Sequence, residues 1–283
     1  MASFVIHNIA AEKLISVLEK EYGVNIDEKS KNHFLLGNLI VDSSKLKYQE
    51  IEGRSPEESK KEYRKKIQHE KVSTHFRNED DANLCIQKPN LDKFLNKYGM
   101  LISLDLSALG YFFHLFTDKK FFDDLFTRSF DTLDEYGNHT IYTSETKLMK
   151  VNKNNKLCSI KDFWSSDSKS SIYHDYTVMN KILLEYYGSS FDKESLIQSS
   201  VDFINPGIDE VDYSNIVSII NKTDSFIMDS YLISSSELNV FDEEVVKKFI
   251  SEVVDEFIQN YLLYFVEANH NSKDENRLIL GGN

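Results

Sequence analysis

His114 and Asp118 stand four residues apart at the end of an apolar and aromatic run that begins near Leu101. On an α-helix of 3.6 residues per turn they share one face, one side chain above the other. An imidazole and a carboxylate on one stripe of an apolar helix can form half of a transition-metal site. They can equally form a histidine–aspartate pair satisfied within a core, since i,i+4 polar pairs are common on helices. Three further groups have the same character. His7 lies near the start of the chain, Asp42 follows the apolar segment Phe34–Val41, and His75 sits in the loop-like break Ser73-Thr-His-Phe-Arg77. Singly, each has an ordinary reading, and for Asp42 that reading is a turn cap. Together, three imidazoles and two carboxylates from four segments have the ligand types of a zinc or similar divalent site.

The elements that must position these groups read as helices. Residues 4–22 carry Ile9, Leu14, Ile15 and Leu18 on one side, with Glu12, Lys13, Glu19 and Lys20 solvated, and Gly23 ends the helix. A charged turn from Asp27 leads into an apolar helix whose Gly37 costs about 1 kcal/mol relative to alanine, which points to close helix packing there. Ser55-Pro-Glu-Glu58 has the form of a capping box with proline at the first helical position. That helix has little apolar face and reads as a solvated excursion. A short amphipathic helix at 90–100 precedes the central one, expected at about 103–129. From about 131 to 170 the pattern weakens: 139–144 alternates, as a short strand or an extended loop would, while 152–159 and 165–171 read as surface loops. An aromatic helix resumes at Ile172, with His174 and Asp175 in its first turn, where a carboxylate is favourable with the helix dipole alone. Short helices at 191–240 lead to a long amphipathic helix at 241–268 and a polar tail.

Composition bounds the rest. The chain has 283 residues, 41% hydrophobic and 12% aromatic, with only 3 Pro and 10 Gly, which favours long helices over many short strands. Asp and Glu number 46 against 33 Lys and Arg, for a net charge of −13. That balance argues against bulk nucleic-acid or anionic-membrane binding, although it leaves room for a local basic cleft. Cys85 and Cys158 are too few for a disulfide framework and suit a reducing cytoplasm. The opening residues lack the apolar core of a signal peptide, and no run reaches transmembrane length. The expectation is a cytoplasmic protein with a helical core at 1–190 and a helical extension at 191–283 packed on it.

The wording of four segments, in order MASFVIHNIAAEKLI, FLLGNLIVDS, STHFR and LGYFFHLFTD, resembles the zinc-dependent phospholipase C family, in particular its intracellular bacterial members. The resemblance covers roughly residues 1–125, with a weaker echo at Tyr173–Leu184. It implies an all-α fold, a multi-helix bundle like those of phospholipase C and the related single-strand nucleases, with metal ions among the helices. It further implies that Asp42, His75, His114 and Asp118 form one metal site. Asp118 would bridge to a second metal that His7 also ligates, so Zn²⁺ at two positions, or another divalent ion, is the expected cofactor. In such a two-metal site a shared water is deprotonated and a phosphoryl oxygen is clamped. Asp42 is then the candidate to orient or deprotonate that water, and the substrate is a small phosphate ester.

The chain departs from the secreted members. Six residues precede His7, Val41 stands where the motif has proline, and the later H-x-x-x-E pair of a third metal site has no match. Asp124, His139, His174 and Asp175 are the nearby substitutes for further metal or substrate binding, with Asp175 the first choice. Two other readings stand beside the phosphoesterase. A nuclease or nucleotide phosphodiesterase would need stacking aromatics, for which Tyr111, Phe112, Phe113 and Trp164 are candidates. A metal-stabilised binding or regulatory protein would offer the C-terminal helices to a protein partner or to a second copy of the chain.

Overall fold

The computed structural model describes residues 2–43, 53, 55–165, 171–234 and 237–272. Its elements run α1 (Phe4–Lys20), α2 (Glu28–Ile40), α3 (Pro56–Thr74), α4 (Leu91–Tyr98), α5 (Leu106–Lys120), a π-helical stretch (Phe121–Phe126) and α6 (Thr127–Ser129). Strands β1 (Phe130–Leu133), β2 (Leu148–Val151) and β3 (Lys156–Ser159) follow. The chain then continues through α7 (Ile160–Phe163), α8 (Ile172–Tyr187), α9 (Lys193–Ser200), α10 (Ile216–Tyr231) and α11 (Glu243–Ser272). The fold is mainly helical.

The central helix is α5, fully buried from Leu106 to Asp118. Asp105 caps it, accepting from the backbone N–H groups of Ser107 (2.7 Å) and Ala108 (3.0 Å). Its closest neighbour is α2. A Cβ built on Gly37 would lie 2.0 Å from the Ser107 carbonyl oxygen, and one on Gly110 would lie 2.1 Å from that of Phe34. The two glycines therefore let the helices cross backbone to backbone, which brings the end of α2 beside the polar turn of α5. On the other side α11 lays Phe257 against Phe112, Phe113 and Phe116, with ring centroids 6.1, 4.7 and 5.3 Å apart. The apolar face of the last helix that carries Phe257 is thus part of the core. The helix also runs to Ser272, four residues beyond the expected boundary at 268.

Two sequence expectations are corrected. The helix at 103–129 is interrupted: a 3₁₀ turn at Leu101–Ser103 precedes α5, and a π-helical stretch follows it. Where the pattern weakens, β1, β2 and β3 form a three-stranded antiparallel sheet in that order, with Phe130 opposite Val151 and Leu148 opposite Ser159; β3 falls within 152–159, expected as a surface loop, and 139–144 takes part through isolated bridges. Strands of four residues are too short for their alternation to stand out, and the polar Asn152–Asn155 turn between β2 and β3 dominates the local composition. The fold is therefore not purely α. The segment at 165–171 lies largely outside the described residues. Among those described, no helix is long and apolar enough to cross a membrane.

Candidate metal centre

Three of the five candidate ligands come from helix interiors and two from turns that helices end in. His7 is one turn into α1, whose cap Ser3 accepts from Ile6 N–H (3.2 Å) and donates to Asn180 Oδ1 of α8 (2.5 Å). These bonds fix the start of α1 against α8 and so fix the depth of His7. Asp42 lies in the turn just past α2, and His114 and Asp118 project from the last two turns of α5.

His75 closes α3 through a distorted turn. The next residue, Phe76, has φ = 52°, a left-handed conformation costly for a bulky side chain. Its ring is buried among Phe94, Tyr98 and Tyr111, which compensates for the strain. Tyr111 of α5 adds an O–H donated to the Thr74 carbonyl (2.5 Å). The turn consequently buries His75 on one side of Phe76 and Arg77 on the other.

The five side chains meet. His7 Nε2 is 3.3 Å from Asp118 Oδ1, while His75 Nε2 is 3.6 Å from both Asp118 Oδ2 and Asp42 Oδ1. The imidazoles of His7 and His114 stack with centroids 3.6 Å apart and planes within 9°. Two sets of donor atoms lie within 4.8 Å of one another: His7, His114 and Asp118, and Asp42, His75 and His114. His114 belongs to both, and Asp118 turns one oxygen toward each half. All five side chains are at most 4% exposed, with Asp42 nearest to solvent.

The decisive observation is which atoms have no partner. Nε2 of His7, His75 and His114 and Oδ2 of Asp118 are all buried without a hydrogen-bond partner among the described residues. Orphaned polar atoms in a core are costly, and four of them pointing into one place are not what packing alone would retain. Two of the three opposite ring nitrogens are held: His114 Nδ1 donates to the Asn38 carbonyl at 2.9 Å, and His75 Nδ1 is bonded to Thr74 Oγ1 at 2.8 Å, while His7 Nδ1 has no hydrogen-bond partner among the described residues. Outer hydrogen bonds of this kind fix the tautomer and aim the other nitrogen's lone pair at a metal. The Ala2 backbone N–H likewise holds Asp118 Oδ1 at 2.7 Å, leaving Oδ2 free. The donor set therefore fits a borderline-soft divalent cation such as Zn²⁺.

Electrostatics agree. Burial drives the His75 imidazole well below its ordinary pKa and that of His114 down to about 3, so both are neutral, as ligands must be. Burial alone would raise the Asp42 and Asp118 carboxyls. Lys71 leads in outweighing it at Asp42, and contact with His7 leads at Asp118, holding both well below the usual carboxylate range. Both are ionised.

The four substitutes for further ligands lie elsewhere. Asp175 is buried, but its carboxylate accepts from the backbone N–H groups of Asn239 (2.9 Å), Val240 (2.6 Å) and Phe241 (2.9 Å). These three bonds anchor the approach to α11 and occupy most of the carboxylate's acceptor capacity. His174 leans on Asp175 at 3.6 Å. Asp124 pairs with Lys120 (2.7 Å) on the outer side of the π-helical stretch, and His139 is exposed beside β1. Of the candidate stacking aromatics, Tyr111, Phe112 and Phe113 are wholly buried and only Trp164, 37% exposed, reaches solvent. The strip of exposed bases and rings that a nuclease would use is not assembled from them.

Sequence reasoning missed the groups around the ligands. Asn38 and Thr74 orient imidazoles, and Lys71 bonds Asp42 Oδ1 at 3.2 Å. Lys71 precedes His75 by four residues on one helix, a spacing that would have placed it beside the site. No family model, curated protein or solved structure matches the chain.

Proposed function

We propose that the protein is a metal-dependent phosphoesterase, most naturally with zinc, that hydrolyses a phosphodiester or phosphomonoester in the manner of the phospholipase C family its motifs resemble. The observation that carries the reading is the set of four buried, partnerless donor atoms on His7, His75, His114 and Asp118, converging with Asp42. Divalent ions in such a site supply Lewis acidity, acidifying water and polarising a phosphoryl oxygen. His114 and Asp118, facing both halves, are the shared elements. Asp42, the member nearest to solvent, is positioned to accept a proton from, and orient, the attacking water. Against burial, the Lys71 ammonium keeps Asp42 ionised, which that role requires.

The test is metal content per chain, measured on protein purified without a metal-affinity tag, paired with bis-p-nitrophenyl phosphate turnover before and after chelation. About two zinc ions with chelator-sensitive turnover are expected. Asp118→Asn and His114→Ala lose metal. Asp42→Asn retains most of it and loses about a hundredfold or more in turnover, the range of a general base. Unchanged metal content in the first two variants refutes the ligand set, and full turnover in the third refutes the role of Asp42.

A further inference from the structure

The small sheet and α7 border a cavity of about 240 Å³, and none of the five candidate metal ligands lines it. Its floor is one face of the sheet. Phe130 and Thr132 are two residues apart on β1, and Thr132 is paired with Met149 of β2, so the three side chains project on the same side. Ile160 and Trp164, which open and cap α7, form one wall, and the Ile160 N–H donates to the Lys147 carbonyl (3.1 Å), tying that helix to the sheet. Cys85 and Ile86 supply a second wall. The Cys85 N–H donates to the Ile141 carbonyl and the Thr143 N–H to the Asn83 carbonyl, each at 2.8 Å, which holds that segment in place. The wholly buried Phe163 ring meets both Phe130 and Trp164, with centroids 4.8 and 5.3 Å away, so the two aromatic walls are fixed before a ligand arrives.

The chemistry of the lining selects its guest. Among the described residues that form it, none is acidic, basic or histidine. Its inner polar groups are engaged within the protein: the Cys85 thiol is hydrogen-bonded to the Thr146 hydroxyl at 3.0 Å, and the Thr132 hydroxyl donates to the Thr140 carbonyl. Such a concavity gives water few partners and gives an ion no counter-charge. Small-molecule sites have this mostly apolar lining, and an apolar cavity of about 150 Å³ takes up benzene. There is room here for one ring with a short substituent. Phe130 and Trp164 offer rings and Met149 a thioether, contacts that favour an aromatic guest over an aliphatic one. The exposed members of the wall, Thr143 and Trp164, put the entrance on their side.

We propose that this cavity is a binding site for an uncharged aromatic compound of one ring. The inference is independent of the phosphoesterase reading, since the two sites share no residue and call for ligands of opposite polarity.

Trp164 is the chain's one tryptophan, so its emission reports on this cavity alone. The experiment is fluorescence titration of the full-length chain with benzyl alcohol and with benzoate, paired with calorimetry. Benzyl alcohol shifts the Trp164 emission to shorter wavelength and saturates, with a dissociation constant of about 1 mM or below. Benzoate binds at least about tenfold more weakly, because its carboxylate would be buried without a partner. Thr143→Phe fills the entrance from an exposed position, where the core is left intact, and weakens benzyl alcohol at least about tenfold. Ile86→Phe repeats the test from the inner wall. Zinc-loaded and chelated protein respond alike. The inference is overturned by the absence of a saturable emission change, by heat of binding without one, by equal affinity for the two probes, or by affinity unchanged in both filled variants. A response that chelation abolishes assigns the ligand to the metal centre and overturns it as well, whereas failure of zinc uptake leaves it standing.

Discussion

Replacing Gly37 by alanine tests whether the metal centre depends on the close crossing of α2 and α5. The new Cβ would sit 2.0 Å from the Ser107 carbonyl oxygen, where contacts under 3.0 Å essentially never occur. The obstacle is backbone, so no side chain can swing aside, and the helices must part by about 1 Å, the difference between those distances. Overpacking of this kind costs about 3 kcal/mol at the upper end of its range. Alanine returns about 1 kcal/mol in helix propensity, for a net loss of about 2 kcal/mol. In a chain of this size that corresponds to a fall of roughly 4–8 °C in melting temperature. The functional effect is larger. Asn38 and Asp42 travel with α2, His114 and Asp118 with α5, and productive sites tolerate only about 0.5 Å of displacement. Metal affinity should fall about 10–100-fold, as when an outer partner of a ligand is lost, although no ligand is altered. Scanning calorimetry of metal-free protein and titration with zinc measure the two effects separately. Gly110→Ala, whose Cβ meets the Phe34 carbonyl at 2.1 Å, should behave alike. A melting temperature within about 1 °C of wild type together with unchanged zinc affinity would refute the close approach and the positioning role drawn from it.

Other perturbations separate the centre from its surroundings. Asp175→Ala removes the acceptor of three backbone N–H groups, two of them buried, and should cost about 2 kcal/mol in stability, seen calorimetrically, while metal content stays at the wild-type value. Loss of metal in that variant would return Asp175 to the ligand set. Saturating zinc at about a hundredfold over its Kd should add about 2.7 kcal/mol to stability, and a chelator should remove it; a melting curve indifferent to both would argue against binding to the native state. Metal-free protein should also be acid-sensitive in a defined window. His75 and His114 have native pKa values depressed below the unfolded value of about 6.5, so the unfolded chain binds more protons below that pH. Stability is complete above about pH 6.5 and is lost as pH falls toward about 3, the native value for His114. A melting temperature that rises on acidification through that window would contradict burial of neutral imidazoles.

Much of this was legible in the chain because it is local. His114 and Asp118 share a face by the period of a helix, and the Ser55–Glu58 capping box forms as its spacing predicts, with the Ser55 hydroxyl accepting from Glu58 N–H at 3.2 Å. Gly37 in an apolar helix announced a close contact, though not with which partner. What local pattern could not carry was the four-residue strands at 130–159, whose stability comes from pairing across the sheet, and the π-helical widening after α5. Asp175 misled because a carboxylate in the first turn of a helix has the same sequence appearance whether it faces a metal, solvent or a distant loop.

The sequence by itself determined the kinds of donor available, three imidazoles and two carboxylates in apolar or turn settings, and the helices able to carry them. These follow from composition and period, which act over a few residues. Only the tertiary structure decided that residues 7, 42, 75, 114 and 118 share one buried space, that unpartnered nitrogens and Asp118 Oδ2 lie within it, and that Lys71 sits against Asp42. Those facts depend on two glycines that let α2 touch α5, on a strained phenylalanine that turns the chain at 76, and on α11 closing the core. Each is a contact between segments far apart in the chain, where burial and backbone geometry, rather than spacing, set which atoms meet.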